Sequence, residues 1–416
     1  MIVVGLVLVV VLPTLFFALH WYAWRRLVHD TTTPGSVMRR AGTVVFVTGP
    51  LLLLLALPHD LPGVPFRGEA VVDWPGFMWL ALFLYLLPAL FVGEVLRPLL
   101  HRIPGRRRGA QNELVPAPPS AEGGEPVEAT ESSGSVTPGL ALLSRRVFVS
   151  RVVGSAATAV AVATVGYGTY GVLRGPRVKR ITVPLAKLPR TAHGFRIAVV
   201  SDMHLGPLLG RDFAQRVVDT INSTQPDLIA IVGDLVDGSV KDLSPAVAPL
   251  AQLRARHGSF FVTGNHEYLY DAQRWITAVR DLGVHPLENT RVELPGFDLA
   301  GVNDVQGARH EQGPDFAHAL GDRDRARTAV LLAHQPVVID EAVEYGVNLQ
   351  LSGHTHGGQL WPGPYVAKLV MPTVAGLHRY GGTQLYVSRG AGAWGPPVRV
   401  GAPSDITVIE LASRQT

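Results

Sequence analysis

At 416 residues the chain is too long for one typical domain, and its composition of 47% hydrophobic and 17% charged residues is uneven, with the apolar excess mostly in the first 175 positions. The net charge of +4 does not make it a nucleic-acid binder: from position 176 onward 23 Lys and Arg face 23 Asp and Glu, so the basic excess belongs to the apolar half. The absence of cysteine excludes a disulfide framework, a thiol nucleophile and a cysteine-type zinc site.

Residues 2–24, 41–58 and 74–93 each run without a charged side chain and are long enough to cross a hydrocarbon core as helices. A fourth uncharged run, 152–172, is built from Ala, Gly, Val and Thr and transfers to lipid less favourably than a Leu-rich span. The expected plan is three transmembrane helices in 1–101, a disordered cytoplasmic linker rich in Pro, Gly, Ser and Glu in 102–143, a fourth transmembrane or signal-like segment in 144–174, and a folded domain in 175–416.

Arginine placement orients this plan. Arg25, Arg26, Arg39 and Arg40 follow the first run; Arg97, Arg102, Arg106, Arg107, Arg108, Arg145, Arg146 and Arg151 separate the third and fourth; the second and third are separated by Arg67 alone. Basic side chains are retained on the cytoplasmic face, so a multi-pass cell-membrane protein with everything after position 172 outside the cytoplasm is expected. Ser144-Arg145-Arg146-Val147-Phe148 resembles a twin-arginine export signal, although ordinary positive-inside flanking accounts for it equally well.

Beyond Arg177, short apolar runs alternate with amphipathic segments, the pattern of an α/β domain. Phe213, Val217, Val218 and Ile221 share one helical face, as do Trp275, Ile276, Val279 and Leu282; both stripes read as core. Five apolar runs end in metal-ligand side chains. Val200 leads to Asp202 and His204, Val232 to Asp234, Val262 to Asn265, Leu332 to His334, and Leu351 to His354 and His356. Strands of one sheet would bring these side chains together at a common edge. Gly233, Gly264 and Gly353 precede three of the ligands, where they allow a sharp turn and leave room for an ion. Two carboxylates, one amide and four imidazoles suit zinc, manganese or iron(II) rather than calcium, and seven ligands fit two ions that share a bridging carboxylate.

Five blocks, Asp202-Met203-His204, Gly233-Asp234-Leu235-Val236-Asp237, Gly264-Asn265-His266-Glu267, His334 and Gly353-His354-Thr355-His356, resemble in order the signature of the calcineurin-like metallophosphoesterases. The resemblance covers about residues 195–411. It implies a two-layer β-sandwich flanked by helices, with Asp202, His204 and His356 on one metal, Asn265, His334 and His354 on the other, and Asp234 between them. The apolar N-terminal runs and the tail Val387-Ser388-Arg389-Gly390-Ala391-Gly392-Ala393-Trp394-Gly395-Pro396-Pro397 look like a bacterial membrane-attached branch. Protein phosphatases of the superfamily carry Arg where this chain has Gly238, which disfavours phosphoprotein substrates.

The resemblance implies hydrolysis of phosphate mono- or diesters by water that two cations acidify, with His266 protonating the leaving oxygen and Asp237 holding its ring. Phospholipid or envelope phosphodiesters are the substrates that the outer location implies. Gln359 to Tyr380 is expected to pack as a loop on the sandwich, with an apolar wall for a lipid-like ester as the alternative. Arg379 and Arg389 are read as surface residues, and His257, His285, His310, His318 and His378 have no ligand context. Two rival readings are a non-catalytic metal-binding module and a membrane sensor or transporter. The intact ligand set opposes the first, and the lack of paired polar residues in the spans opposes the second.

Overall fold

The computed structural model describes residues 10–57, 69–102 and 145–414; apart from Arg102, the linker expected over 102–143 lies outside them, as does the start of the first apolar run. The apolar half forms helices α1 (Leu12–Trp24), α2 (Val37–Ala56), α3 (Glu69–Arg102) and α4 (Arg145–Leu173). Val37–Ala56, Ala70–Leu99 and Val147–Leu173 are long and apolar enough to cross a membrane, so the Ala- and Val-rich fourth run qualifies beside the second and third. Leu51, Leu55, Val92, Val160 and Val162 are exposed on these helices, a surface that suits hydrocarbon rather than water.

The chain forms two compact units, one of Met1–Thr43 with Leu87–Ala159 and one of Val44–Leu86 with Val160–Thr416. Within the first, arginines from both basic segments come together. Arg26 and Arg97 each pair with Glu94, at 3.1 and 3.2 Å, while Arg39 and Arg151 donate to the carbonyls of Thr32 and Thr31, at 2.7 and 2.9 Å.

The second unit contains two six-stranded sheets. In chain order its elements are β1 (Arg177–Leu185), β2 (Phe195–Val200), α5 (Arg211–Ser223), β3 (Leu228–Val232), α6 (Val240–Val247), β4 (Ser259–Val262), α7 (Asn265–Leu269), α8 (Ala272–Asp281), β5 (His285–Pro286), β6 (Thr290–Leu294), β7 (Phe297–Gly301), α9 (Phe316–Leu320), β8 (Thr328–Leu332), α10 (Ile339–Glu344), β9 (Leu349–Ser352), α11 (Gly363–Ala367), β10 (Gly376–Tyr380), β11 (Thr383–Val387) and β12 (Asp405–Ser413). The sheet orders are β1-β12-β2-β3-β4-β5 and β10-β11-β9-β8-β7-β6. Each has a parallel centre: β2 through β5 in the first, and β7, β8, β9 and β11 in the second.

Parallel strands covered on both faces read as unbroken apolar runs, which is why the sequence shows no alternation there. The pleat still sorts the side chains. Ile197, Val199, Val232 and Val262 meet Phe297, Leu299, Val330 and Leu351 in one buried cluster between the sheets. Ala198, Val200, Ile229 and Ile231 turn the other way, toward Phe213 and Val217 of α5, Leu243 of α6 and Trp275 of α8. On the far side, Leu331, Leu385 and Val387 pack on Phe316 of α9 and Ile339 of α10. The architecture is the α/β two-layer sandwich flanked by helices that the resemblance implies. One expectation is corrected: the five ligand-bearing strands do not share one sheet. β2, β3 and β4 belong to the first and β8 and β9 to the second, because burying both apolar sheet faces requires stacking them.

Candidate metal centre

Asp202, Asp234, His334 and His354 each stand two residues beyond the last residue of β2, β3, β8 and β9, and Asn265 stands three beyond β4. This regularity places all of them at the C-terminal ends of parallel strands, where an open sheet builds its sites. Main-chain bonds join neighbouring ligand loops within each sheet. Asp202 N–H donates to Gly233 O at 3.0 Å, His204 N–H to Asp234 O at 3.2 Å, and Gly353 N–H to His334 O at 2.9 Å.

Five ligands sit in the left-handed region: Asp202 (φ 51°), His204 (45°), Asp234 (50°), His354 (70°) and His356 (51°). Non-glycine residues held there cost about 1–3 kcal/mol each, so the packing around the site maintains a strained loop set. The preceding glycines serve mainly to make space. A methyl on Gly264 would collide with Asp234 Oδ1, and one on Gly353 with Asp202 Oδ2; of the three only Gly233 also has positive φ, 72°.

All seven predicted ligands converge. His204 Nε2 lies 3.0 Å from His356 Nε2, and Asp202 Oδ1 lies 3.4 Å from His356 Nε2. On the other side His334 Nε2 is 3.1 Å from Asp234 Oδ2, and His354 Nδ1 is 2.9 Å from Asn265 Oδ1. Asp234 Oδ2 is also 3.8 Å from His204 Nε2, so one carboxylate oxygen reaches both sets.

The surroundings prepare two imidazoles as ligands. His334 Nδ1 is 2.8 Å from Val232 O, and a carbonyl only accepts, so Nδ1 holds the proton and Nε2 is left for the site. Asp237 Oδ1 does the same for His204, 2.8 Å from its Nδ1. That carboxylate also lies 2.8 Å from His266 Nδ1.

Charge balance follows from burial. Desolvation works to raise Asp234, but His334, His266 and His204 outweigh it and hold the carboxyl well below the usual carboxylate range. Burial pushes Asp202 up, with the Asp234 charge adding to it. Burial, His204 and Arg399 push His356 well below its ordinary value, and burial with His334 brings His354 to about 4, so both imidazoles are neutral donors. Burial lowers His266, and Asp237 and Asp234 more than compensate, raising it to about 10.

These residues fit a pair of divalent cations. Asp202 Oδ2 is buried without a hydrogen-bond partner, and Asp202, His204 and His356 on one side, and Asp234, His334 and His354 on the other, offer donor atoms within 4.8 Å of one another. His266 could join a third group with His204 and Asp234. Its Nδ1 is engaged by Asp237 and its backbone N–H donates to Asp234 Oδ1 at 2.9 Å, which sets it beside the ligands.

Sequence reasoning missed two residues. Glu267, fully buried, accepts from the N–H groups of Gly264 (2.6 Å), Leu235 (2.8 Å) and Asp234 (3.1 Å) and so ties the β3 and β4 loops together. Its place in the Gly-Asn-His-Glu block was the available signal. Arg399, 5% exposed, donates to the carbonyls of Gly392 (2.7 Å), His356 (3.0 Å) and Ala402 (3.0 Å), and its Nη2 lies 3.2 Å from His356 Nδ1. Nothing in the sequence around Arg399 sets it apart from a surface arginine. Arg389 pairs with Asp405 at 3.9 Å and Arg379 stands exposed on β10. The run 359–380 packs only in part: Thr373 and Val374 are buried and Leu360 is half-buried, but Trp361, Tyr365, Val366, Leu369 and Val370 are exposed.

Comparison with known proteins agrees with this geometry. Residues 195–358 match the family model described as calcineurin-like phosphoesterase. The chain is 38% identical over 255 residues to an "Uncharacterized metallophosphoesterase" of Helicobacter pylori, covering 60% of this chain and 68% of that one. It is 30% identical over 286 residues to the "Uncharacterized metallophosphoesterase YkuE" of Bacillus subtilis, covering 65% and 98%. A "Transmembrane protein with metallophosphoesterase domain" of Danio rerio is 37% identical over 259 residues, 59% of each chain.

Proposed function

The chain belongs to the calcineurin-like metallophosphoesterase family, and from that premise we propose that it is a membrane-attached, dinuclear metal-dependent hydrolase of phosphate mono- or diesters whose sheet domain works outside the cytoplasm. The observation that carries this reading is Asp234 Oδ2, set between His204 Nε2 at 3.8 Å and His334 Nε2 at 3.1 Å with a further donor set on each side. Asp202, His204 and His356 would hold one cation, Asn265, His334 and His354 the other, with Asp234 shared. Manganese, zinc and iron(II) all suit these donors. Bound there, such cations acidify water and neutralise charge on the phosphoryl oxygens.

In this reading the oxygen of water bonds to phosphorus as the ester P–O bond breaks, and His266 gives its proton to the departing oxygen. His266 lines the same cavity as the ligands, and Asp237 holds its Nδ1, which leaves Nε2 as the second proton site. Gly238 offers the phosphate no guanidinium; its carbonyl instead accepts from Trp275 Nε1 at 3.0 Å, which speaks against phosphoprotein substrates. The outer location is supported by the convergence of Arg26, Arg39, Arg97 and Arg151, from both basic segments, within one unit. Phospholipid or envelope phosphodiesters are the substrates available there.

The test is hydrolysis of bis-nitrophenyl phosphate by the detergent-solubilised chain. We expect activity that a chelator removes and manganese restores, and a loss of about 100-fold or more in Asp234→Asn. Activity indifferent to chelator, or none over a range of mono- and diesters, would transfer the weight to a non-catalytic metal module.

A further inference from the structure

Resting on the hydrolase reading and adding substrate class and route to it, we propose that the cavity over the metal centre takes the hydrocarbon chain of a membrane-resident phosphoester, which reaches the site laterally from the bilayer along α3. The cavity, about 820 Å³, has two unlike walls. One carries His266 and five of the seven predicted ligands, all but Asp202 and His334. The other is apolar and made by Leu80, Leu84, Leu269, Leu360, Trp394 and Pro396.

Leu80 and Leu84 belong to α3. Four residues apart, they share one helix face, and they lie about 16 and 22 Å along the axis from Glu69. That position is inside the stretch Ala70–Leu99, which is long and apolar enough to cross a membrane. The neighbouring Ala81 is fully buried, packed with Val165 of α4 and with Leu360, Val398 and Val400 of the catalytic loops, whereas Leu84 remains 37% exposed. The seal between helix and domain is therefore closed at Ala81 and open at Leu84. A soluble phosphoester has no use for a wall drawn from a membrane span.

A second observation points the same way. Immediately beyond Leu360, Trp361, Tyr365, Val366, Leu369 and Val370 are between 51% and 83% exposed, and Lys368 stands among them. An apolar surface carrying Trp, Tyr and Lys, directly continuous with residues packed on a membrane helix, has the composition of a segment seated at the lipid headgroups. The apolar wall, the open edge at Leu84 and this segment form one surface that runs from hydrocarbon to the metal ligands. Its fitting occupant is an amphiphile with its phosphate at His266 and its chain against Leu80 and Leu84.

The full chain is reconstituted with manganese in phosphatidylcholine vesicles and given 4-nitrophenyl hexadecyl phosphate or 4-nitrophenyl ethyl phosphate, diesters that share a leaving group and differ in the chain. We expect apparent kcat/KM to favour the hexadecyl ester by about tenfold or more. At fixed bulk concentration its rate should fall as the ester is diluted with phosphatidylcholine in the bilayer. Leu84→Trp, which fills the open edge, should lower the hexadecyl-to-ethyl ratio about fivefold or more. Independently of turnover, a hexadecylphosphonate with a diazirine in its chain should label α3 between Leu80 and Leu84 and the 360–370 segment. Equal turnover of both esters, a rate that follows bulk concentration, or labelling confined to other faces of α3 overturns the proposal while leaving the hydrolase reading intact. No hydrolysis of either ester overturns both.

Discussion

Asp234 Oδ2 reaches both donor sets, while the rest of the residue is fixed by groups beside them. Glu267 accepts from the Asp234 N–H, and His266 N–H donates to Asp234 Oδ1, so a carboxylate turned to the backbone and the neighbour of Asn265 fix this side chain. The general-acid role proposed for His266 is tested by a comparison of leaving groups. His266→Ala should lower kcat on an alkyl phosphate diester by about 100-fold or more, and on a nitrophenyl ester, whose leaving group needs no proton, by less than about tenfold. Equal losses on the two would assign His266 a purely structural place. Asp237 serves two imidazoles with one oxygen, which makes it a positioning residue for His204 and His266 alike.

The element that completes the site is the loop from β11 to β12. Arg399 sits under it, with three carbonyls satisfied by one guanidinium and no direct carboxylate partner within it. Burial lowers its pKa to about 10, still far above neutrality, so the charge is retained. Arg399→Met would remove a donor from each of those carbonyls, His356 O keeping only the Gln359 N–H, at a cost of about 3 kcal/mol or more, and should lower Tm by roughly 6–12 °C in detergent. A Tm within a degree of the parent would show that the loop is held by its other contacts. The fit is close: Arg399 N–H donates to Gly168 O of α4 at 3.3 Å, and a methyl on Gly168 would meet Val398. A glycine is needed there because a helix and a loop backbone touch.

At the scale of the whole molecule, a site built by two sheets and five strained residues depends on what it binds. If the site holds the two proposed cations, saturating both at a hundredfold excess over Kd contributes about 2.7 kcal/mol each, so chelation should lower Tm by roughly 10 °C or more, as read by thermal unfolding without any substrate. An unchanged Tm would mean that the ligand set holds its shape without cations. The sequence by itself located the apolar helices, the five strand ends and the seven side chains that converge beyond them with His266, because each is a local pattern: a run without charge, or a side chain at a fixed step beyond an apolar run. It also located Trp394 within a tail, though without a role. Only the tertiary structure decided the division of those strands between two sheets, the part of Glu267 and Arg399, and the junction of Leu80 and Leu84 with a centre that begins more than 100 residues later. Packing of buried faces and closure of long loops are properties of the assembled chain, and neither leaves a periodicity for a sequence to display.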